Sequence, residues 1–356
     1  MKVLIAAGGT GGHVYPALAV AQELKLKKPD VQIIFVGTKK GFEASIIPSH
    51  GFELEFMEVS GFSATTLAKK IKSILLVPGA VIRTARLLSK HKPDVVFGIG
   101  GYVSGLLLMM SAFKKIPTAI LEPNVMAGMT NRWLGKIVDK IYLAFDESEK
   151  FFPSKKTLKT GNPIRKEILN VLPPDFSQSP KTIFIFGGSQ GAKKINQSVI
   201  EMVKSDVHFW KNFLFIHQVG PHDGGATKLA YEQLGIQADV RPYFEQMMQA
   251  YEKSHFVIAR AGSSILEIAA VGRPSILIPY PYASGHQYYN ADILVKHGAS
   301  YLLMDQECNG QSLSKLLKSA IQSENILKSM SNRALDFRSE NASKMISDQF
   351  ISWLHV

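Results

Sequence analysis

Short apolar runs rich in Val, Ile and Phe alternate along the chain with longer amphipathic stretches. Positions 3–7, 31–36, 94–99, 118–121 and 140–145 read as strands. Apolar runs this short, bounded by turn residues, suit strands buried on both faces of a sheet. Between them, 16–27 and 66–88 carry helical spacing. Strand–helix alternation predicts a parallel sheet with right-handed crossovers. The proline-rich stretch 171–180 breaks the pattern, which restarts with strands at 182–186, 213–219, 256–259 and 275–279 and several helices after Gln311. The restart repeats the opening: strand residues run into Gly8-Gly9-Thr10-Gly11-Gly12 in one half and Gly187-Gly188-Ser189-Gln190-Gly191 in the other. Two doubly wound, Rossmann-like α/β domains facing each other across a cleft are the economical expectation.

Each half therefore opens with strand, glycine-rich turn and helix, and a third such turn is Gly98-Ile99-Gly100-Gly101-Tyr102. Glycine lets backbone approach a phosphate, and the following helix N-terminus offers unpaired N–H groups with partial positive charge. Familiar nucleotide signatures fail in detail. Gly9-Thr10-Gly11-Gly12-His13-Val14 lacks the closing glycine of a dinucleotide fingerprint, and Val36-Gly37-Thr38-Lys39-Lys40 lacks its acid. The Lys-Ser/Thr of a Walker loop is replaced by His13-Val14. Gly187-Gly188-Ser189-Gln190-Gly191 matches the G-x-S-x-G nucleophile elbow, but a hydrolase leaves the first half unexplained. No H-E-x-x-H, cysteine cluster or D-x-D pair offers a metal site. A leaving diphosphate would then be stabilised by backbone amides and basic side chains. His13, at a helix N-terminus beside a phosphate-type loop, is the candidate general base.

Composition bounds these readings. The 356 residues are 46% hydrophobic and 20% charged, which suits about two globular domains. A single cysteine, Cys308, excludes a disulfide-stapled scaffold. The apolar run 3–7 is too short for a secretory signal. The uncharged stretch 95–113 is long enough to span a bilayer but is cut by Gly98, Gly100, Gly101 and Gly105, so strand, turn and helix are expected instead. The net charge of +12 is uneven. Residues 1–160 hold 22 Lys and Arg against 12 Asp and Glu, and the remainder 19 against 17. Between Glu58 and Glu122 the only acid is Asp94, while Lys69, Lys70, Lys72, Arg83, Arg86, Lys90, Lys92, Lys114 and Lys115 fall in that window. Such asymmetry implies an anionic partner.

With these residues in view, the chain resembles the family of bacterial peptidoglycan glycosyltransferases that add N-acetylglucosamine to lipid I. The resemblance rests on residues 7–19, on Lys92-Pro93-Asp94-Val95-Val96, on residues 98–105, on Gly161-Asn162-Pro163-Ile164-Arg165 and on residues 187–192. It continues through Arg260-Ala261-Gly262, Glu267-Ile268-Ala269 and Gln287-Tyr288-Tyr289-Asn290-Ala291, in family order. It implies a GT-B architecture, with an acceptor domain over 1–162 joined by a returning C-terminal helix at 340–356, and a donor domain over 163–339. It implies an inverting, metal-independent transfer from UDP-N-acetylglucosamine to the muramyl 4-hydroxyl of lipid I, forming lipid II, with no cofactor.

Carried over by position, the resemblance places Ser189, Gln190 and Gly191 at the donor diphosphate and Arg165 at the nucleotide sugar. Phe244 would read uracil through its backbone, Glu267 would hold the ribose hydroxyls, and Gln287 would touch the donor sugar. Gly262, Ser263 and Ser264 belong to the same donor loop. Thr10, Gly11, Gly12 and Asn124 would border the acceptor, with His13 as base. Two departures stand out. Leu121-Glu122-Pro123-Asn124 replaces the His-Glu-Gln-Asn of many members, and 261–267 is one residue short. The acceptor is a polyprenyl lipid, so the basic window 69–83 is expected to dock on an anionic membrane at the cytoplasmic face of the inner membrane, peripherally. Aromatics do not interleave with its cations, which argues against nucleic acid. The alternatives left open are a related glycolipid transferase, a UDP-N-acetylglucosamine epimerase, or a nucleotide-sugar-binding scaffold.

Overall fold

A computed structural model describes the chain except for residues 40, 58–66, 189, 282–284 and 355–356; for 67–77 it describes the helical backbone alone. The chain forms two compact units, Met1–Arg165 with Ser339–Val356, and Lys166–Arg338. Residues 163–165, expected with the second domain, pack with the first.

Among the described residues the first unit holds seven strands: β1 (Lys2–Ala6), β2 (Gln32–Gly37), β3 (Glu53–Phe56), β4 (Val95–Gly98), β5 (Thr118–Glu122), β6 (Lys140–Leu143) and β7 (Thr157–Lys159). They lie in the order β3-β2-β1-β4-β5-β6-β7, every ladder parallel. The second unit holds β8 (Lys181–Phe186), β9 (Phe213–Gln218), β10 (Ala238–Arg241), β11 (Phe256–Ala259), β12 (Ser275–Leu277) and β13 (Ser300–Leu302), ordered β10-β9-β8-β11-β12-β13 and again parallel. These are the doubly wound sheets expected from the alternation, once in each half.

The interior strands are nearly continuous apolar runs because helices cover both faces. Residues Val3–Ala7 are all buried, as are Ile183–Phe186. The helix expected from Pro16 begins at Gly11 and runs to Lys27. Proline marks a preferred first-turn residue, yet here the turn starts five residues earlier. The stretch 95–113 resolves into β4, a glycine turn and the helix Gly101–Phe113. Among the described residues no helix is long and apolar enough to cross a membrane.

The C-terminal helix Ala342–Ser352 packs on Gly11–Lys27. Its Ile346 and Phe350 are fully buried in the first unit's core, where Phe350 meets Phe97 and Tyr142 at ring-centroid distances of 5.4 and 6.2 Å.

Candidate functional site

In a doubly wound sheet the crevice for a ligand opens at the carboxyl ends of the two strands where the winding reverses. In the first unit these are β1 and β4, and in the second β8 and β11. All three glycine turns singled out by the sequence fall there, as does the segment 260–264 that follows β11.

In the first unit, β1 runs through Gly8 and Gly9 into the helix Gly11–Lys27, with Thr10 as its exposed N-cap. The Thr10 side chain makes no capping hydrogen bond, and no acid stands in the first turn. The helices Gly101–Phe113 and Lys193–Ser205, behind the other two glycine turns, share both features. Helix starts ordinarily attract a capping side chain or an acid. Three bare ends at two switch points leave amide dipoles available to an anion. Met129–Leu134, Gly224–Gln233, Met247–Lys253, His286–Lys296 and Ala342–Ser352 also start bare, so it is the place of these three ends at the switch points that marks them.

His13 lies in the first turn with Nδ1 3.1 Å from the Gly8 carbonyl. A carbonyl only accepts, so Nδ1 carries the proton and Nε2 is left as the proton acceptor. The loop beneath is held by Glu43, a residue the sequence reading missed. Its Oε2 accepts the Gly9 N–H at 2.9 Å, and its Oε1 accepts the Thr38 N–H at 2.7 Å and hydroxyl at 2.8 Å. Glu43 is fully buried, and a Cβ at Gly41 would come within 2.0 Å of its Oε2. A lone Glu followed by apolar residues gives no sequence signal for such a role. Buried Ser104 joins the two turns of this unit, its one hydroxyl proton shared between the carbonyls of Gly100 at 2.6 Å and Ala6 at 3.1 Å.

Asn124 is oriented by Glu122 at the end of β5: Oε1 of Glu122 accepts its backbone N–H at 3.0 Å and its side-chain amide at 3.1 Å. Glu122 Oε2 accepts from Gly128 and Asn131. Burial pushes the Glu122 carboxyl above the ordinary range, against the pull of these hydrogen bonds. Arg165 is 5% exposed and lays its guanidinium 3.9 Å from the Tyr15 ring centroid, which explains why it packs with the first unit.

In the second unit, Gln190 and Gly191 follow β8, while Ser189 lies outside the described residues. Gly191 has φ +74, and a Cβ there would meet the Val219 carbonyl oxygen at 2.3 Å, so only glycine fits against the end of β9. Lys193 and Lys194 are exposed at the N-terminus of Lys193–Ser205. Cations there oppose the helix dipole and sum with it towards a common anion. The sequence reading did not assign these two lysines. Gly262, Ser263 and Ser264 form the turn into Ile265–Ala270, and Gly262 borders open space. Glu267 sits in that helix's first turn, 9% exposed.

Phe244 departs from expectation in one respect: its backbone N–H already donates to Gln218 Oε1 at 3.0 Å. Gln287, in the first turn of His286–Lys296, likewise accepts the Tyr280 N–H at 2.9 Å through Oε1. Arg260 fixes the approach to it, donating to the carbonyls of Ile278 and Pro279 and pairing with Asp305 at 2.5 Å. Among the described residues one group of His and carboxylate side chains could share a cation, Glu53, Glu55 and His91 at the β3 edge, where Lys90 already pairs with Glu55.

Comparison with known proteins places the chain. Residues 3–143 match the glycosyltransferase family 28 N-terminal domain, and residues 182–349 its C-terminal domain. A Thermodesulfovibrio yellowstonii protein named UDP-N-acetylglucosamine--N-acetylmuramyl-(pentapeptide) pyrophosphoryl-undecaprenol N-acetylglucosamine transferase is 39% identical over 97% of both chains. A Myxococcus xanthus protein of the same name is 37% identical, over 98% of this chain and 92% of its own. The crystal structure of Acinetobacter baumannii MurG superposes with a TM-score of 0.77 at 27% identity, covering 99% of each chain. The two matched domains take in both sheets apart from β7, together with their glycine turns, and the second match runs on into the helix Ala342–Ser352. The chain belongs to glycosyltransferase family 28, among its N-acetylglucosamine transferases of this kind.

Proposed function

We propose that the chain transfers N-acetylglucosamine from UDP-N-acetylglucosamine to the 4-hydroxyl of the muramyl sugar of lipid I, inverting the anomeric carbon and releasing UDP and lipid II. The observation that carries this reading in the chemistry is His13, whose Nδ1 is committed to the Gly8 carbonyl so that Nε2 can take a proton. In the reaction, Nε2 removes the hydroxyl proton as the 4-oxygen attacks C1. The C1–O bond to the diphosphate breaks on the opposite face, and its electron pair leaves with UDP. The new charge falls on amides and cations at 187–194, with Lys193 and Lys194 nearest the helix start. Thr10, Gly11, Gly12 and Asn124 border the acceptor. Gln190, Gly191, the 262–264 turn, Phe244, Glu267 and Gln287 hold the donor.

Purified protein should release UDP from UDP-N-acetylglucosamine only when a lipid I analogue is supplied, and with EDTA present. The variant His13→Ala should lose most of its turnover, at least about 100-fold for a general base. Donor conversion without acceptor, or full turnover by His13→Ala, would overturn the assignment.

A polyprenyl acceptor requires the enzyme to work at a membrane, and we propose that the first unit binds the cytoplasmic leaflet peripherally. The side chains of Lys69, Lys70 and Lys72 lie outside the described residues. Support comes from the packed helices Gly101–Phe113 and Met129–Leu134, where Phe113, Met129 and Trp133 are 77%, 76% and 66% exposed. Lys114, Lys115, Arg132 and Lys136 accompany them. Large apolar groups rimmed by cations suit an anionic interface, each cation adding about 1 kcal/mol. Flotation with anionic vesicles should weaken on combining Phe113→Ser with Trp133→Ser; unchanged flotation would remove this face.

A further inference from the structure

We propose that Gln218 is a positioning residue that locks the diphosphate loop and the base-reading segment into one template, so that UDP is bound as a unit. This rests on reading the second unit as the donor unit. Gln218 ends β9, the neighbour of β8, and is 2% exposed. Its Oε1 accepts the Phe244 N–H at 3.0 Å, and its Nε2 donates to the Gly188 carbonyl at 3.1 Å. The two partners fix the amide's orientation, since a flip would set donor against donor and oxygen against oxygen.

The surroundings make this bridge rigid. The Gly188 carbonyl also accepts the Gly191 N–H at 3.0 Å, so its oxygen is held within the turn. Just beyond Gln218, the N–H groups of Val219 and Gly220 donate to the carbonyls of Arg241 and Pro242, which carries the approach to Phe244 alongside. His217, the preceding residue, points to the opposite face of the strand. Its Nε2 donates to Asn196 Oδ1 and its Nδ1 accepts from the Tyr231 hydroxyl, both at 3.1 Å. Asn196 in turn donates to the Val219 carbonyl and Asp223, each at 2.9 Å. Helix Lys193–Ser205 is thereby tied to β9 by one side chain, and the loop and base segment by the next. Gln218 bonds both ligand segments through its one side chain, and the Val219–Gly220 backbone beside it packs on Gly191 and pairs with Arg241 and Pro242.

The test uses full-length protein, Gln218→Leu and Gln218→Glu, with UDP and uridine binding by calorimetry and donor kinetics. Gln218→Leu should raise the KM for UDP-N-acetylglucosamine and the Kd for UDP about 10- to 100-fold. Uridine should weaken less, and kcat at saturating donor should fall far less than KM rises. Gln218→Glu keeps the acceptor for Phe244 but lacks the donor for Gly188 until its carboxyl is protonated. Its KM should therefore improve as the pH is lowered towards 5, with no such recovery for Gln218→Leu. A purely structural role would lower the melting temperature and active fraction with KM unchanged, and that result would overturn the proposal. Equal losses for uridine and UDP would overturn it as well. Wild-type protein that binds no UDP would instead remove the donor reading itself.

Discussion

Glu43 gives the sharpest test of how the first glycine turn is built. The change Glu43→Gln preserves size and removes one acceptor. The amide oxygen can keep both Thr38 hydrogen bonds, while the NH2 group replaces Oε2 and faces the Gly9 N–H, donor against donor. A buried bond to a charged group contributes about 1.5–3 kcal/mol, so the local cost is about 2–3 kcal/mol. Glu43→Ala strips all three donors and costs more, about 3–6 kcal/mol. Native-state hydrogen exchange reads this residue by residue: in Glu43→Gln the amide of Gly9 should exchange roughly 30- to 150-fold faster, at tenfold per 1.4 kcal/mol. Thr38 should change little in Glu43→Gln and strongly in Glu43→Ala. Because Gly8, next in the chain, accepts from His13, kcat should fall in both variants. Unchanged exchange at Gly9 in Glu43→Gln, with full turnover, would refute the reasoning and show that the turn holds itself.

His217 is buried and pushed down to about 3, so between that value and 6.5 the unfolded chain binds the extra proton. Its contribution is complete above about pH 6.5 and is lost on acidification by about 1.4 kcal/mol per unit, so denaturant titrations should show a shallower acid limb for His217→Gln. Gly191→Ala should abolish UDP binding, since its Cβ would strike the Val219 backbone. Gly188→Ala, with open space and φ +86, should cost only the left-handed strain of about 1–2 kcal/mol, and calorimetry with UDP separates the two. Phe350→Ala should destabilise the first unit by about 3–5 kcal/mol while UDP binding persists; equal loss of both would break the assignment of this helix to the first unit's core.

Local residue pattern is enough to mark the interior of each sheet and the places where the winding reverses. Strands such as β1, β4, β8 and β11 are buried on both faces, so their apolar runs are continuous and legible. The glycine turns were legible because close approach and positive φ leave few other residues possible. Tertiary structure decided the rest. The four strands that periodicity did not reveal, β3, β7, β10 and β13, are the four sheet edges. Glu53-Leu54-Glu55-Phe56 and Ala238-Asp239-Val240-Arg241 alternate charge with apolar residues because an edge meets solvent and must resist further pairing. Glu43, Gln218, Lys193 and Lys194 were equally hidden. A buried Glu or Gln is recognised only by the groups that surround it, and Gly9 on Glu43 and Gly188 and Phe244 on Gln218 lie 34, 30 and 26 positions away. Local pattern records how a residue meets its sheet; which distant backbone groups it must satisfy is settled only when the chain has closed around it.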